Sequence, residues 1–106
     1  MTEGRLSPAM RIQIELAISA RGQDDDNPLA DEARKLGLTG AEIEAARRGA
    51  SFSAMTDVAV KFALALYDGD EDAINALERK LVCFGAEEMI PHVKGIVESR
   101  RGSPAS

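Results

Sequence analysis

A chain of 106 residues and 11.3 kDa allows one compact domain, residues 1–106, with an ordinary core that needs no staples. Hydrophobic residues make up 44% and charged ones 29%, which excludes the disordered and fibrous classes. Thirteen Lys and Arg against eighteen Asp and Glu leave a formal charge of −5, so no basic surface rewards nucleic-acid phosphates. One cysteine excludes an intramolecular disulfide, and no apolar run is long enough for a membrane span; the expected setting is cytoplasmic, without membrane or nucleic-acid partners.

Ser7-Pro8 reads as an N-cap followed by the residue best tolerated in a first helical turn. From Pro8 to about Ala20 the pattern serves two periods. Met10, Ile12, Ile14, Leu16 and Ile18 alternate with more polar neighbours, which is a strand signal. The same residues on a helix give one stripe of Met10, Ile14 and Ile18 and a second of Ile12 and Leu16, wrapped by neighbours on two sides. No second convincing strand exists to pair with, so the segment is assigned as helix. Its two apolar stripes exceed what a small monomer readily covers, which predicts self-association, most simply a dimer.

Arg21 to Asn27 form a polar loop, and Asn27-Pro28 repeats the cap-then-proline start. Leu29, Ala33 and Leu36 then make a short stripe that Gly37 ends. Thr39-Gly40-Ala41-Glu42 is a capping box opening a helix with Ile43 and Ala46 inward and Arg47-Arg48-Gly49 at its end. The clearest periodic segment runs from Ala54 to Tyr67, with Met55, Val58, Ala59, Phe62, Ala63 and Leu66 on one face. A turn at Asp68-Gly69-Asp70 leads into a helix from Glu71 to about Phe84, with Ile74, Leu77 and Leu81 inward, and Gly85 breaks it. A last helix spans Glu87 to Ser99, with Pro91 either in its first turn or kinking it. An ordered core of about residues 6–99 and a mobile tail over 100–106 complete an all-α bundle of five or six short helices.

Few side chains offer chemistry. Asp68, Asp70 and Asp72 match the first, third and fifth positions of a calcium loop, but Ala73 and Arg79 stand where it needs glycine and glutamate. These aspartates, like Asp24, Asp25 and Asp26, are read as solvated residues favouring the start of the next helix. His92 is the only histidine; a multi-histidine metal site is impossible in one chain, and a structural role is expected for it. Cys83, between Leu81, Val82 and Phe84, is expected to be a buried small hydrophobe. No metal, nucleotide or other cofactor is implied.

The phrases LSPAMRIQIELAISARG, LADEARKLGLTGAEIEAARRG and DVAVKFALAL, in this order from Leu6 to about Leu66, resemble the alkylhydroperoxidase D-like, or carboxymuconolactone decarboxylase-like, family. The resemblance implies a compact all-α fold and a homo-oligomer. Redox members of that family carry Cys-x-x-Cys followed by a histidine, with an upstream glutamate. Counted forward from Ser19, the cysteine positions fall on Asp24 and Asn27 and the histidine on Asp31; counted back from Ala33, they fall on Gly22, Asp25 and Leu29. Neither register holds a thiol, and one cysteine cannot run an intramolecular dithiol cycle.

Three functions follow as expectations. The first is a degenerate family member with a binding or structural role. The second is a non-redox decarboxylase or isomerase acting on a small carboxylated lactone, with Arg11, Glu15, Arg21 and His92 as acid/base or carboxylate-holding candidates. The third is a one-cysteine peroxidase that uses Cys83 with an external thiol.

Overall fold

The computed structural model describes residues 6–23 and 25–101. Among them lie six helices and no strand: α1 (Pro8–Arg21), α2 (Asn27–Lys35), α3 (Gly40–Arg47), α4 (Ala54–Asp68), α5 (Glu71–Cys83) and α6 (Met89–Arg101). The all-α class read from the sequence is what the chain adopts. None of these helices is long and apolar enough to cross a membrane.

The starts follow from local chemistry. Ser7 Oγ accepts the Met10 N–H at 3.1 Å, with Pro8 in the first turn where no backbone donor is needed. At α3 both halves of the capping box are made: Thr39 Oγ1 accepts from the Glu42 N–H (3.2 Å) and Glu42 Oε1 from the Thr39 N–H (2.8 Å). Asp70 Oδ1 caps α5 through the Ala73 N–H at 3.2 Å, and Asp68 pairs with Arg21 across the chain. The acidic turn therefore serves the helix start and an ion pair.

At α2 the expected cap is displaced. Asn27 is the first helical residue and Asp26 holds the cap position, without a side-chain bond to the helix. Pro28 fits either register, because a first-turn residue needs no N–H for the helix ladder, and the Asp26 carboxylate is drawn away to Arg47. The helix also ends at Lys35, so Leu36 leaves the predicted stripe and is 41% exposed, while Ala30 is buried in its place. Leu38, just beyond Gly37, packs back onto the core instead.

Two apolar clusters meet at α1. Ile14, Ala17 and Ile18 face α4 and α6, where Phe62, Ala63, Val93 and their neighbours close the larger cluster. Ile12 and Leu16 face α2 and α3, where Ala30, Ala33, Ile43 and Ala46 form the smaller one. Both stripes of α1 are thus covered within a single chain, and the supposition that a monomer leaves one bare is corrected: Ile12, Ile14, Leu16 and Ile18 are all buried.

The α4 helix is more deeply enclosed than its predicted single face. Val60, Leu64 and Ala65 are buried along with Val58, Ala59, Phe62 and Ala63, whereas Met55 and Leu66 sit at the edge. Burial this wide, leaving only the stripe of Ala54, Lys61 and Asp68 exposed, marks a central helix. Gly49 permits the tight turn before it: its φ is +81°, and a Cβ there would stand 2.7 Å from Leu64 Cδ1. At the far end, α6 begins at Met89 rather than Glu87 and continues through Arg100 and Arg101, where a mobile tail was expected to start. The rest of that tail lies outside the described residues.

Ile12→Ala and Ile14→Ala are each expected to lower the unfolding free energy by about 2–5 kcal/mol in urea titrations. A one-sided α1 would leave one of the two near neutral.

Candidate functional site

Three places carry chemistry-bearing side chains. The first is the junction between α1 and α2, where the family resemblance puts the redox motif. Asp24 lies outside the described residues. Asp25 is exposed, and its Oδ1 accepts the Asn27 N–H at 3.0 Å, a local turn contact. Asn27 is exposed at the start of α2, and Asp31, also exposed, pairs with Arg34 at 3.6 Å. Asp26, read from the sequence as a solvated residue before the helix, is instead half-buried and held by an arginine. Arg47 donates to it twice, Nε to Oδ2 at 2.9 Å and Nη2 to Oδ1 at 3.0 Å, and donates also to Glu44 Oε2 at 2.6 Å. The Asp26 and then the Glu44 hydrogen bonds raise the Arg47 pKa above its ordinary value, against the smaller cost of desolvation. This bidentate pair joins the entry of α2 to the end of α3.

The second place is a groove of about 360 Å³ lined by Leu6, Arg11, His92 and Ile96, between the N-terminal side of α1 and the start of α6. Arg11 Nε donates to Glu15 Oε2 at 3.2 Å. Of the four acid/base candidates, Arg11, Glu15 and His92 are thus brought together, and Arg21 stands apart on Asp68. His92 is exposed, which corrects the structural role expected of it. Of the two places open to Pro91 it takes the first turn, and the residue after it faces outward rather than into the core.

The third place is Cys83, which is exposed and not a buried hydrophobe. The reason is helical geometry: Leu81 is the fully buried residue of α5, and a residue two positions on points to the other side. Cys83 lines a groove of about 410 Å³ with Ala54, Asp57, Val58, Lys80 and Phe84, and a second of about 440 Å³ with Asn75, Glu78, Arg79 and Val82.

Beside it, a polar network fixes the loop before α4. The buried Gln13 donates to Ala9 O (3.1 Å) and accepts from Ser51 Oγ (3.0 Å); the Ser51 N–H donates to Asp57 Oδ1 (2.9 Å). Lys61 Nζ donates to the same oxygen at 2.7 Å and to Gly49 O at 3.3 Å. Desolvation alone would raise the Asp57 pKa; the bonds from Lys61 and the Ser51 N–H outweigh it together and hold the carboxyl below its ordinary value. No sequence signal announced this network, whose directly bonded partners lie up to 38 residues apart. Among the described residues no group of three His, Cys, Asp or Glu is placed to hold a metal ion.

Comparison with family models, with curated proteins and with solved structures finds no match to this chain.

Because the folded-state pKa of Asp57 is depressed, its contribution to stability is complete above the ordinary aspartate range and is lost as pH falls through that range to the lower folded value. Asp57→Asn should therefore cost about 1–2 kcal/mol at neutral pH and flatten the acid limb of a stability-against-pH curve. Cys83 in the native protein should react stoichiometrically with an aromatic disulfide reagent without denaturant; a thiol that reacts only after unfolding would contradict its exposure.

Proposed function

We propose that the protein is a non-redox member of the alkylhydroperoxidase D-like, or carboxymuconolactone decarboxylase-like, family, acting as a binding or structural homo-oligomer rather than turning over peroxide. The observation that carries this is the use made of the α1–α2 junction. A dithiol enzyme keeps a nucleophile and its resolving thiol there, free to react. Here Asp25 closes a turn, Asp26 locks onto Arg47, and Asp31 pairs with Arg34. Asp26 ties two helices together, and the other two make local turn and helix contacts.

Cys83, on α5, is the one thiol, and no second thiol exists to resolve an oxidised sulfur within the chain. An exposed, unpaired thiol suits a reducing, cytoplasmic compartment. Association between copies would not use α1, whose faces are already covered. Among the described residues the exposed large apolar side chains are Leu36, Phe52, Val82 and Phe84, two of them at the end of α5.

With an organic hydroperoxide and a dithiol reductant, peroxide loss should match the protein-free blank and be unchanged by Cys83→Ser. Turnover abolished by that substitution would contradict the proposal. Light scattering at micromolar concentration should give a multiple of 11.3 kDa, reduced towards the monomer by Phe84→Glu; a monomeric mass would remove the oligomeric part.

A further inference from the structure

The groove between α1 and α6 holds an arginine that uses one of its five N–H donors. Arg11 gives its Nε–H to Glu15, and its side chain stays 60% exposed while that of Glu15 is only 17% exposed. The contact is made through Nε alone, so the two terminal Nη groups, the outer edge of the guanidinium, are not engaged by Glu15. Neither that edge nor the His92 ring has a hydrogen-bond or ion-pair partner among the described residues. Leu6 and Ile96 supply the aliphatic walls of the same groove.

We infer that this groove is a binding site for a small organic monocarboxylate. A planar guanidinium edge matches the two oxygens of a carboxylate with two parallel N–H bonds, a fit that a lysine cannot give. The His92 imidazole adds a donor from a second helix, so the anion is gripped by groups of two elements, α1 and α6. Glu15 sets the selectivity. Its negative charge lies against the same guanidinium, so a ligand with a second negative group is repelled, and a single carboxylate on a short carbon body is preferred. A volume of about 360 Å³ stands at the small end of ligand pockets, which suits a few-carbon acid.

The test is a backbone amide NMR titration of the full chain at constant ionic strength with propionate, succinate and inorganic phosphate. Propionate should give saturable shifts confined to the residues around Arg11, Glu15, His92 and Ile96, and bind more tightly than succinate or phosphate. Arg11→Gln should weaken propionate by about tenfold and His92→Gln by about threefold. Glu15→Gln should remove the penalty on succinate, a gain that simple loss of structure would not produce. Arg11 and His92 are exposed and Glu15 is half-buried; unchanged circular dichroism and melting temperature would show each variant folded. The inference is overturned if propionate gives only linear, scattered shifts, if phosphate binds better than propionate, or if folded Arg11→Gln binds propionate as the parent does. None of these results bears on peroxide turnover, so this site and the non-redox proposal fail separately.

Discussion

The structure turns on one helix with two apolar faces. On α1, Ile14 and Ile18 are separated by about one turn from each other and by roughly half a turn from Ile12 and Leu16, so one side of the helix cannot bury all four. Leaving either stripe in water forfeits on the order of 1.5–3 kcal/mol for each large side chain. The chain meets this by dividing its remaining helices: α2 and α3 cover one stripe, and α4 and α6 cover the other. The small residues Ala30, Ala33 and Ala46 let α2 and α3 approach closely on the thinner side. On the thicker side Phe62 and its neighbours fill the space. Everything else follows from that arrangement, including the outlying position of α5, which packs chiefly along α4 and leaves Val82, Cys83 and Phe84 at the surface.

Polar contacts then set the joints between these layers. Gln13 lies on α1 at a buried position, a location that would be costly without partners, and both ends of its amide are satisfied through Ala9 and Ser51. From Ser51 the chain of bonds continues to Asp57, Lys61 and Gly49, so the start of α4 is registered against α1. Arg47 does the same for α2 and α3 through Asp26. Both devices use charges that are partly shielded from water, where hydrogen-bonded ion pairs keep more of their strength than exposed ones. The functional consequence is at the α1–α2 junction. Carboxylates that fasten a helix entry are poor candidates for nucleophilic chemistry, and the chemistry that remains lies on faces the joints leave open.

Much of this was legible in the sequence, and what was not has a physical reason. The paired stripes of α1, the capping box at Thr39 and Glu42, and the turn at Gly69 are local patterns, written within a few residues. The cap of α2 was misjudged because a proline in the first turn is compatible with two registers, and the deciding contact comes from Arg47, 21 residues away from Asp26. Cys83 was misread for a similar reason: its apolar neighbours suggested burial, but burial on a helix depends on angular position relative to Leu81, not on the company in sequence. The candidates Arg11, Glu15 and His92 were named from residue type alone. Their meeting in one groove depends on how α6 packs against α1, which no local pattern encodes.

Amide hydrogen exchange tests the central role of α1 most directly. If both of its faces are sealed by the rest of the chain, the amides from Ile14 to Ser19 exchange only through global unfolding, with a protection free energy equal to that from urea titration, and more slowly than those of α5. Exchange across Ile14–Ser19 as fast as in α5, well below the global value, would contradict the account.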